Sequence, residues 1–122
     1  MPNRSAAVRP RPAREDQRAR RQQLPADEVS GLRDLFKVLA SETRLRLLHM
    51  LVQEEELCVS ELAMAVAMTP QAVSNQLQRL LDRGVVTSRR VGSNVYYRIE
   101  DPCMPILLAR GLCLLEEGKR RA

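Results

Sequence analysis

The chain has 122 residues, with 20 basic and 15 acidic side chains, three cysteines, and only two tyrosines and one phenylalanine as aromatic residues. This length accommodates one domain with a modest core, and the shortage of aromatic side chains favours a mostly helical protein. Three widely spaced cysteines argue against a disulfide framework and favour a cytoplasmic location with reduced thiols. No apolar run has the length of a membrane span, so we expect no membrane partner.

The beginning of the chain is strongly basic. Residues 1–23 contain seven arginines against two acidic residues, a net charge of +5 that equals the charge of the whole chain. With three prolines and few apolar residues, residues 1–24 are predicted to be a disordered basic arm. The arm could attract phosphate non-specifically, or it could be a solubilising tail without a specific role. We predict the folded domain over residues 25–118 and a basic tail over residues 119–122.

Two helices are predicted at the start of the folded domain. The first ends near Ala40 and has apolar residues at helical spacing: Leu32, Leu35, Phe36 and Leu39. Ser41 then caps a second helix with the sequence SETRLRLLHMLVQ. A lone histidine inside such a helix, His49, is more typical of a packed or hydrogen-bonded residue than of a metal ligand.

The domain is organised around residues 60–84. Ser60 is a suitable N-cap for a short helix, and Thr69 with Pro70 is typical of the start of a second helix, which Gly84 ends. Two short helices that meet at a tight turn suggest a helix-turn-helix. The second helix carries amide, hydroxyl and guanidinium groups opposite its apolar residues, which suits the donor and acceptor pattern of a DNA major groove. An ordinary solvated helix would have a similar polar face.

The polar face of this second helix supplies the candidate DNA-reading residues. We expect contacts with base edges or adjacent phosphates from Ser74, Asn75, Gln76 and Arg79, with Gln71 assisting from the first turn of the helix.

A basic hairpin is predicted directly after the helix pair. The runs VVTSRRV and VYYRI are rich in β-branched and aromatic residues, and Gly92-Ser93-Asn94 separates them. A hairpin in this position is a wing whose arginines reach phosphates or the minor groove, with Arg89, Arg90 and Asn94 as the candidate contacts. The acidic residues 54–56 are expected to form a loop away from DNA. The predicted fold is therefore mainly α with a β-hairpin, a dimeric winged helix-turn-helix in the order α-α-α-α-β-β-α.

A last helix is predicted from Asp101 as N-cap and Pro102 as first residue. Its many leucines make it too apolar for the surface of a monomer, and Gly111 would allow another backbone to come close. A dimer interface explains both features.

Four segments together resemble the ArsR/SmtB family of metal-responsive repressors: LASETRLRLLHMLV, ELCVSELA, MTPQAVSNQLQRLLDRGVV and RRVGSNVYYRI. The resemblance covers about residues 28–117. It implies a homodimer whose first and last helices form the interface, and which leaves a palindromic operator in double-stranded DNA when a metal or other inducer arrives. A metal-handling or thiol enzyme is disfavoured because the chain has one histidine and no evident Cys–His pair.

The last helix also carries candidate metal ligands. Cys103 and Cys113 are ten residues apart, about 15 Å along a helix, so one ion cannot join them within a chain. If two copies of the helix pack antiparallel about a two-fold axis near Leu108, Cys103 of one subunit lies opposite Cys113 of the partner subunit.

The resemblance to zinc-sensing family members extends this ligand set. Asp101 and Glu117 match their carboxylate ligands, Cys103 replaces the first histidine, and Leu114 stands at the position of the second. Because thiolates favour soft ions, we expect an effector of the Cd(II), Pb(II), Hg(II), As(III) or Cu(I) class, with Zn(II) also open.

Cys58 is a secondary candidate for the metal site. It matches the first cysteine of the family's ELCVC motif, but Ser60 replaces the second, and residues 1–24 contain no cysteine or histidine to complete that site. Cys58 also fits the description of a small buried apolar residue. A redox or persulfide response of the cysteines, in a repressor of the same fold, is the alternative to metal sensing.

Overall fold

The computed structural model describes residues 22–121, which form five helices and three strands. The elements are α1 (Ala26–Leu39), α2 (Glu42–Gln53), β1 (Leu57–Cys58), α3 (Val59–Val66), α4 (Pro70–Asp82), β2 (Val86–Val91), β3 (Asn94–Ile99) and α5 (Cys103–Arg121). The mainly helical class with a hairpin is confirmed, and the predicted element order lacked only the short strand β1. Residues 1–21 of the predicted arm lie outside the described residues, and residues 119–121 continue α5.

The helix ends at α2 and α4 follow from local side-chain chemistry. Ser41 Oγ accepts a hydrogen bond from the Arg44 N–H at 3.3 Å, and Thr69 Oγ1 accepts one from the Ala72 N–H at 3.1 Å. These bonds satisfy N–H groups that have no partner within the helix, as the sequence predicted. Gly84, just beyond α4, has a φ of +71°, a conformation that suits glycine.

The predicted cap at Ser60 was wrong, because α3 begins immediately after Cys58. Glu61 reaches back and its Oε1 accepts a hydrogen bond from the Cys58 N–H at 2.9 Å. That backbone N–H, together with the Cys58 side chain, holds the pKa of Glu61 below its usual value. Ser60 is consequently an exposed residue within the first turn of the helix.

The hairpin belongs to a three-stranded antiparallel sheet in the order β1-β3-β2. Val91 pairs with Asn94, so Gly92 and Ser93 form a two-residue turn, and Gly92 has a φ of +61°. Leu57 and Cys58 of β1 pair with Tyr97 and Tyr96 of β3. Strand β3 is the second strand of the hairpin and the central strand of the sheet. Since α3 follows β1 without a gap, β3 is hydrogen-bonded to the residues that immediately precede the helix pair α3 and α4.

The core lies between α2, α3, α4 and the sheet. Its fully buried side chains are Leu47, Leu48, Leu62, Val73, Leu77 and Leu80. The outer helices α1 and α5 each add one buried residue, Leu39 and Met104, and Leu35, Val38, Leu107 and Leu108 pack against this core while partly exposed. Over residues 22–121, no helix is long and apolar enough to cross a membrane.

Candidate DNA-binding surface and effector site

Helix α4 presents one apolar and one polar face. Val73, Leu77 and Leu80 are buried against the core, and this anchors the helix. On the opposite side Gln71, Asn75 and Arg79 are exposed, while Ser74 and Gln76 are half-buried at the flanks. The predicted readers therefore share one side of the helix or lie along its borders.

Hydrogen bonds already engage three of these readers. Gln71 Nε2 donates to Asn75 Oδ1 at 3.1 Å, a pair one helical turn apart on the exposed face. Gln76 Oε1 accepts a hydrogen bond from Arg44 Nη1 at 2.8 Å. This second contact joins residues 32 positions apart, so no local sequence signal indicates it.

In the hairpin, Arg89 is engaged by an acidic residue. Its Nε donates to Glu56 Oε2 at 2.8 Å and its Nη2 donates to Glu56 Oε1 at 2.7 Å. The guanidinium carbon lies 5.5 Å from the centroid of the Tyr96 ring. The hydrogen bonds from Arg89 lower the pKa of Glu56, and the same bonds raise the pKa of Arg89. The predicted acidic loop thus ends against the wing. Arg90 and Asn94 are exposed on the same hairpin.

The candidate effector residues lie on α5 and at its start. The Cys103 and Cys113 thiols are both exposed. Helix α5 begins at Cys103, so Pro102 precedes the helix and is not its first residue as predicted. Asp101 Oδ1 accepts a hydrogen bond from the Cys103 N–H at 2.8 Å, and Glu117 Oε1 is 3.4 Å from Arg120. Among residues 22–121 of one chain, no three His, Cys, Asp or Glu side chains are grouped so that they could hold a metal ion. One chain therefore does not bring the four predicted ligands together.

Cys58 is in a different environment from the other two cysteines. It is buried at the junction of β1 and α3, and its Sγ is 3.3 Å from Ser60 Oγ. This position matches a small packed side chain better than an accessible ligand.

An apolar cavity of about 480 Å³ lies between α1, α2 and α5. Phe36, Leu45, Leu112 and Leu115 line it and are all exposed, and Gly111 lies among them. His49, predicted to be packed or hydrogen-bonded, is instead exposed and also lines this cavity. Large apolar side chains around an open cavity are typical of a surface that another protein surface covers.

Comparison with known protein families gives one match. Residues 41–88 match the family described as "Bacterial regulatory protein, arsR family", a segment that runs from the cap of α2 into β2. The cadmium resistance transcriptional regulatory protein CadC of Listeria innocua is 38% identical over 89 residues, which cover 73% of this chain and 72% of that protein. The transcriptional repressor SmtB homolog of Synechocystis is 43% identical over 75 residues, 62% of this chain and only 56% of that protein.

Two solved structures show the same fold. The AntR antimony-specific transcriptional repressor is 52% identical, with a TM-score of 0.73 over 81% of this chain and 89% of that chain. A homodimeric winged helix-turn-helix DNA-binding domain from Mycobacterium bovis is 31% identical, with a TM-score of 0.72 over 80% of this chain and 89% of that chain. The architecture of α3, α4 and the hairpin is therefore that of a winged helix-turn-helix.

Proposed function

Since the chain belongs to the ArsR family of bacterial regulatory proteins, we propose that it is a cytoplasmic transcriptional repressor that binds operator DNA as a homodimer. The observation that carries the proposal is the position of α4 beside the basic hairpin of β2 and β3, which belongs to the three-stranded sheet. The apolar face of α4 is buried and its polar face is exposed. Helix α4 would enter the major groove, and the hairpin would contact the adjacent backbone.

Within this proposal the predicted DNA-contacting residues differ in what they would bind. Gln71, Asn75 and Arg79 occupy the most exposed side of α4 and would face base edges, with Ser74 and Gln76 at its borders. In the wing, Arg90 and Asn94 are the exposed contacts, while Arg89 must share its guanidinium with Glu56.

The apolar cavity supports a homodimer. It is lined by residues of α1, α2 and α5, and the first and last helices are those that the family resemblance assigns to the interface. A second copy would cover Phe36, Leu112 and Leu115, which otherwise remain exposed to water. The similar M. bovis domain is homodimeric.

The effector proposal places a soft metal or metalloid ion between two α5 helices. Cys103 with Asp101 of one subunit and Cys113 with Glu117 of the partner subunit would hold it, and such an ion would link the subunits through bonds to sulfur. Two exposed thiols fit this donor chemistry. The relatives named for cadmium and antimony point to the same class of ion, while Zn(II) is a weaker match to thiolates. Release from DNA would follow if the linked dimer favours a different spacing of its α4 helices.

Measurement of operator release tests the assignment of the thiols. Wild type, Cys103→Ser, Cys113→Ser and the control Cys58→Ala would be bound to fluorescent operator DNA and titrated with Cd(II), Pb(II), Hg(II), As(III), Sb(III), Cu(I) and Zn(II). We expect equal DNA affinity in all four proteins, and release only in the wild type and Cys58→Ala. Release that persists in both serine variants would rule out this site.

Mixed dimers test whether the ligands come from two subunits. A dimer of one Cys103→Ser chain and one Cys113→Ser chain retains one complete pair, Cys113 of the first with Cys103 of the second. It should recover ion binding and partial release, although neither variant responds alone. If both thiols had to come from the same chain, the mixed dimer would not respond.

The same exposed thiols support the redox alternative. Oxidation would then join Cys103 to Cys113 of the partner subunit, and mild oxidants without metal should produce a covalent dimer on a non-reducing gel, together with loss of DNA binding.

A further inference from the structure

We infer that Arg44 positions a DNA-reading residue: it holds the Gln76 amide with its oxygen turned toward Arg44, so that the amide N–H groups are turned toward DNA. The inference rests on the proposed function, because it concerns how α4 discriminates between base pairs. It depends on three hydrogen bonds of Arg44, one from its backbone and two from its side chain, which connect α1, α2 and α4.

Arg44 is anchored firmly on the side away from α4. It lies in the first turn of α2, where its backbone N–H donates to the Ser41 cap, and its Nε donates to the carbonyl oxygen of Val38 at 2.5 Å. Val38 is in the last turn of α1, where carbonyl groups lack partners within the helix and attract positive charge. The planar guanidinium is thereby oriented before it reaches Gln76.

The contact with Gln76 determines which way its amide points. A glutamine amide has an oxygen that accepts hydrogen bonds and a nitrogen that donates them, whereas a guanidinium only donates. The oxygen must therefore face Arg44, as in the 2.8 Å hydrogen bond from Arg44 Nη1 to Gln76 Oε1. Arg44 thus removes the amide flip that an unconstrained glutamine can make.

A fixed amide changes what Gln76 can recognise. The two-bond contact of glutamine with adenine uses both groups, the nitrogen donating to N7 and the oxygen accepting from N6. With its oxygen engaged, Gln76 retains donors for an acceptor such as guanine O6 or N7, thymine O4 or a phosphate oxygen. Gln76 is half-buried and lies one turn before the exposed Arg79, at the border of the reading face, where such a contact is within reach.

In vitro selection from a random duplex library tests the inference with the full chain. Wild type should enrich a sequence with no adenine preference at the base pair that Gln76 meets. Arg44→Met frees the amide oxygen, so this variant should gain a preference for adenine of about tenfold at one position in each half-site. In a Gln76→Ala background, Arg44→Met should cause no such shift.

Gln76→Glu gives an independent readout that does not depend on the folding of Arg44→Met. The carboxylate keeps the contact with Arg44 but has no donors, so thermal stability should be maintained while DNA affinity falls about tenfold. Gln78→Glu, which adds the same charge on α4, is the control and should lose less affinity.

The outcomes separate this inference from the proposed function. If the wild type enriches no sequence, the proposed function fails and the inference fails with it. Two results with a sequence-specific wild type would overturn the positioning role of Arg44. Either Arg44→Met enriches the same sequence as the wild type, or Arg44→Met causes the same shift in preferred sequence in the Gln76→Ala background. Equal affinity losses in Gln76→Glu and Gln78→Glu would also overturn it.

Discussion

Replacement of Leu112 by lysine should convert the dimer into a monomer without unfolding the subunit. Leu112 lines the apolar cavity, and 52% of its surface is exposed in the single chain. Because Leu112 is not part of the buried core of its own subunit, the change should lower the melting temperature of the isolated fold only slightly.

The expected magnitude follows from the exposed fraction and the symmetry of the interface. Full burial of a leucine side chain stabilises by about 1.5–3 kcal/mol, and roughly half of that remains to be gained at Leu112, about 1 kcal/mol. In a two-fold dimer both subunits carry the substitution, so the loss doubles to about 2 kcal/mol per dimer. A lysine ammonium withdrawn from water adds further cost, so we expect a total of at least about 4 kcal/mol and an increase in the dissociation constant of about a thousandfold.

Sedimentation equilibrium over a range of protein concentrations, in the absence of DNA, measures this constant. Met64→Lys is the matched control, because Met64 is 84% exposed on α3 and does not line the cavity. A dissociation constant for Leu112→Lys close to that of the wild type would refute the assignment of the cavity to the dimer interface. Equal weakening in Met64→Lys would show that the added charge, rather than the position, is responsible.

Two further substitutions test the helix-turn-helix and the wing. Ala67 has a φ of +55°, a conformation that costs an L-residue about 1–2 kcal/mol in the folded state. Glycine avoids this cost but loses about 0.5–1 kcal/mol more conformational entropy on folding. Ala67→Gly should therefore raise the free energy of unfolding in urea by about 0.5–1 kcal/mol, and a free energy of unfolding below that of the wild type would contradict this interpretation. Glu56→Gln should release Arg89 for a phosphate contact. The slope of log DNA affinity against log salt concentration should then become steeper by about one, whereas Glu55→Gln should not change it. Because the pKa of Glu56 is lowered from 4.5, its stabilising effect is present above that value and lost as pH falls through the folded pKa, so wild type and Glu56→Gln should converge in stability in acid.

The features predicted correctly from sequence are those that depend on neighbouring residues. Ser41 and Thr69 cap helices through bonds to residues three positions away, and the two-residue turn at Gly92 requires a conformation that suits glycine. Strand β1 was missed because two residues have no periodicity of their own, and its identity depends on pairing with β3 about 40 positions later.

In the candidate site, too, local features could be predicted from the sequence and contacts between distant residues could not. The polar face of α4 follows from helical spacing, so its exposed residues could be named in advance. The contacts of Arg89 with Glu56 and of Arg44 with Gln76 span 33 and 32 residues, and only the folded arrangement brings them together. The meeting of Cys103 with Cys113 depends on a second chain, so that pairing stays a prediction.

The weak attachment of α1 and α5 to the core has a consequence for divergence within the family. In a single chain, each of these helices buries one side chain, Leu39 and Met104 respectively. Substitutions on the faces of α1 and α5 that contact neither the core nor the apolar cavity therefore escape the packing constraints that hold α2, α3 and α4 in place. If α5 holds the inducer and α4 contacts the operator, as proposed above, ligand sets for other inducers can arise on those faces of α5, or be engineered there, while α4 is inherited unchanged.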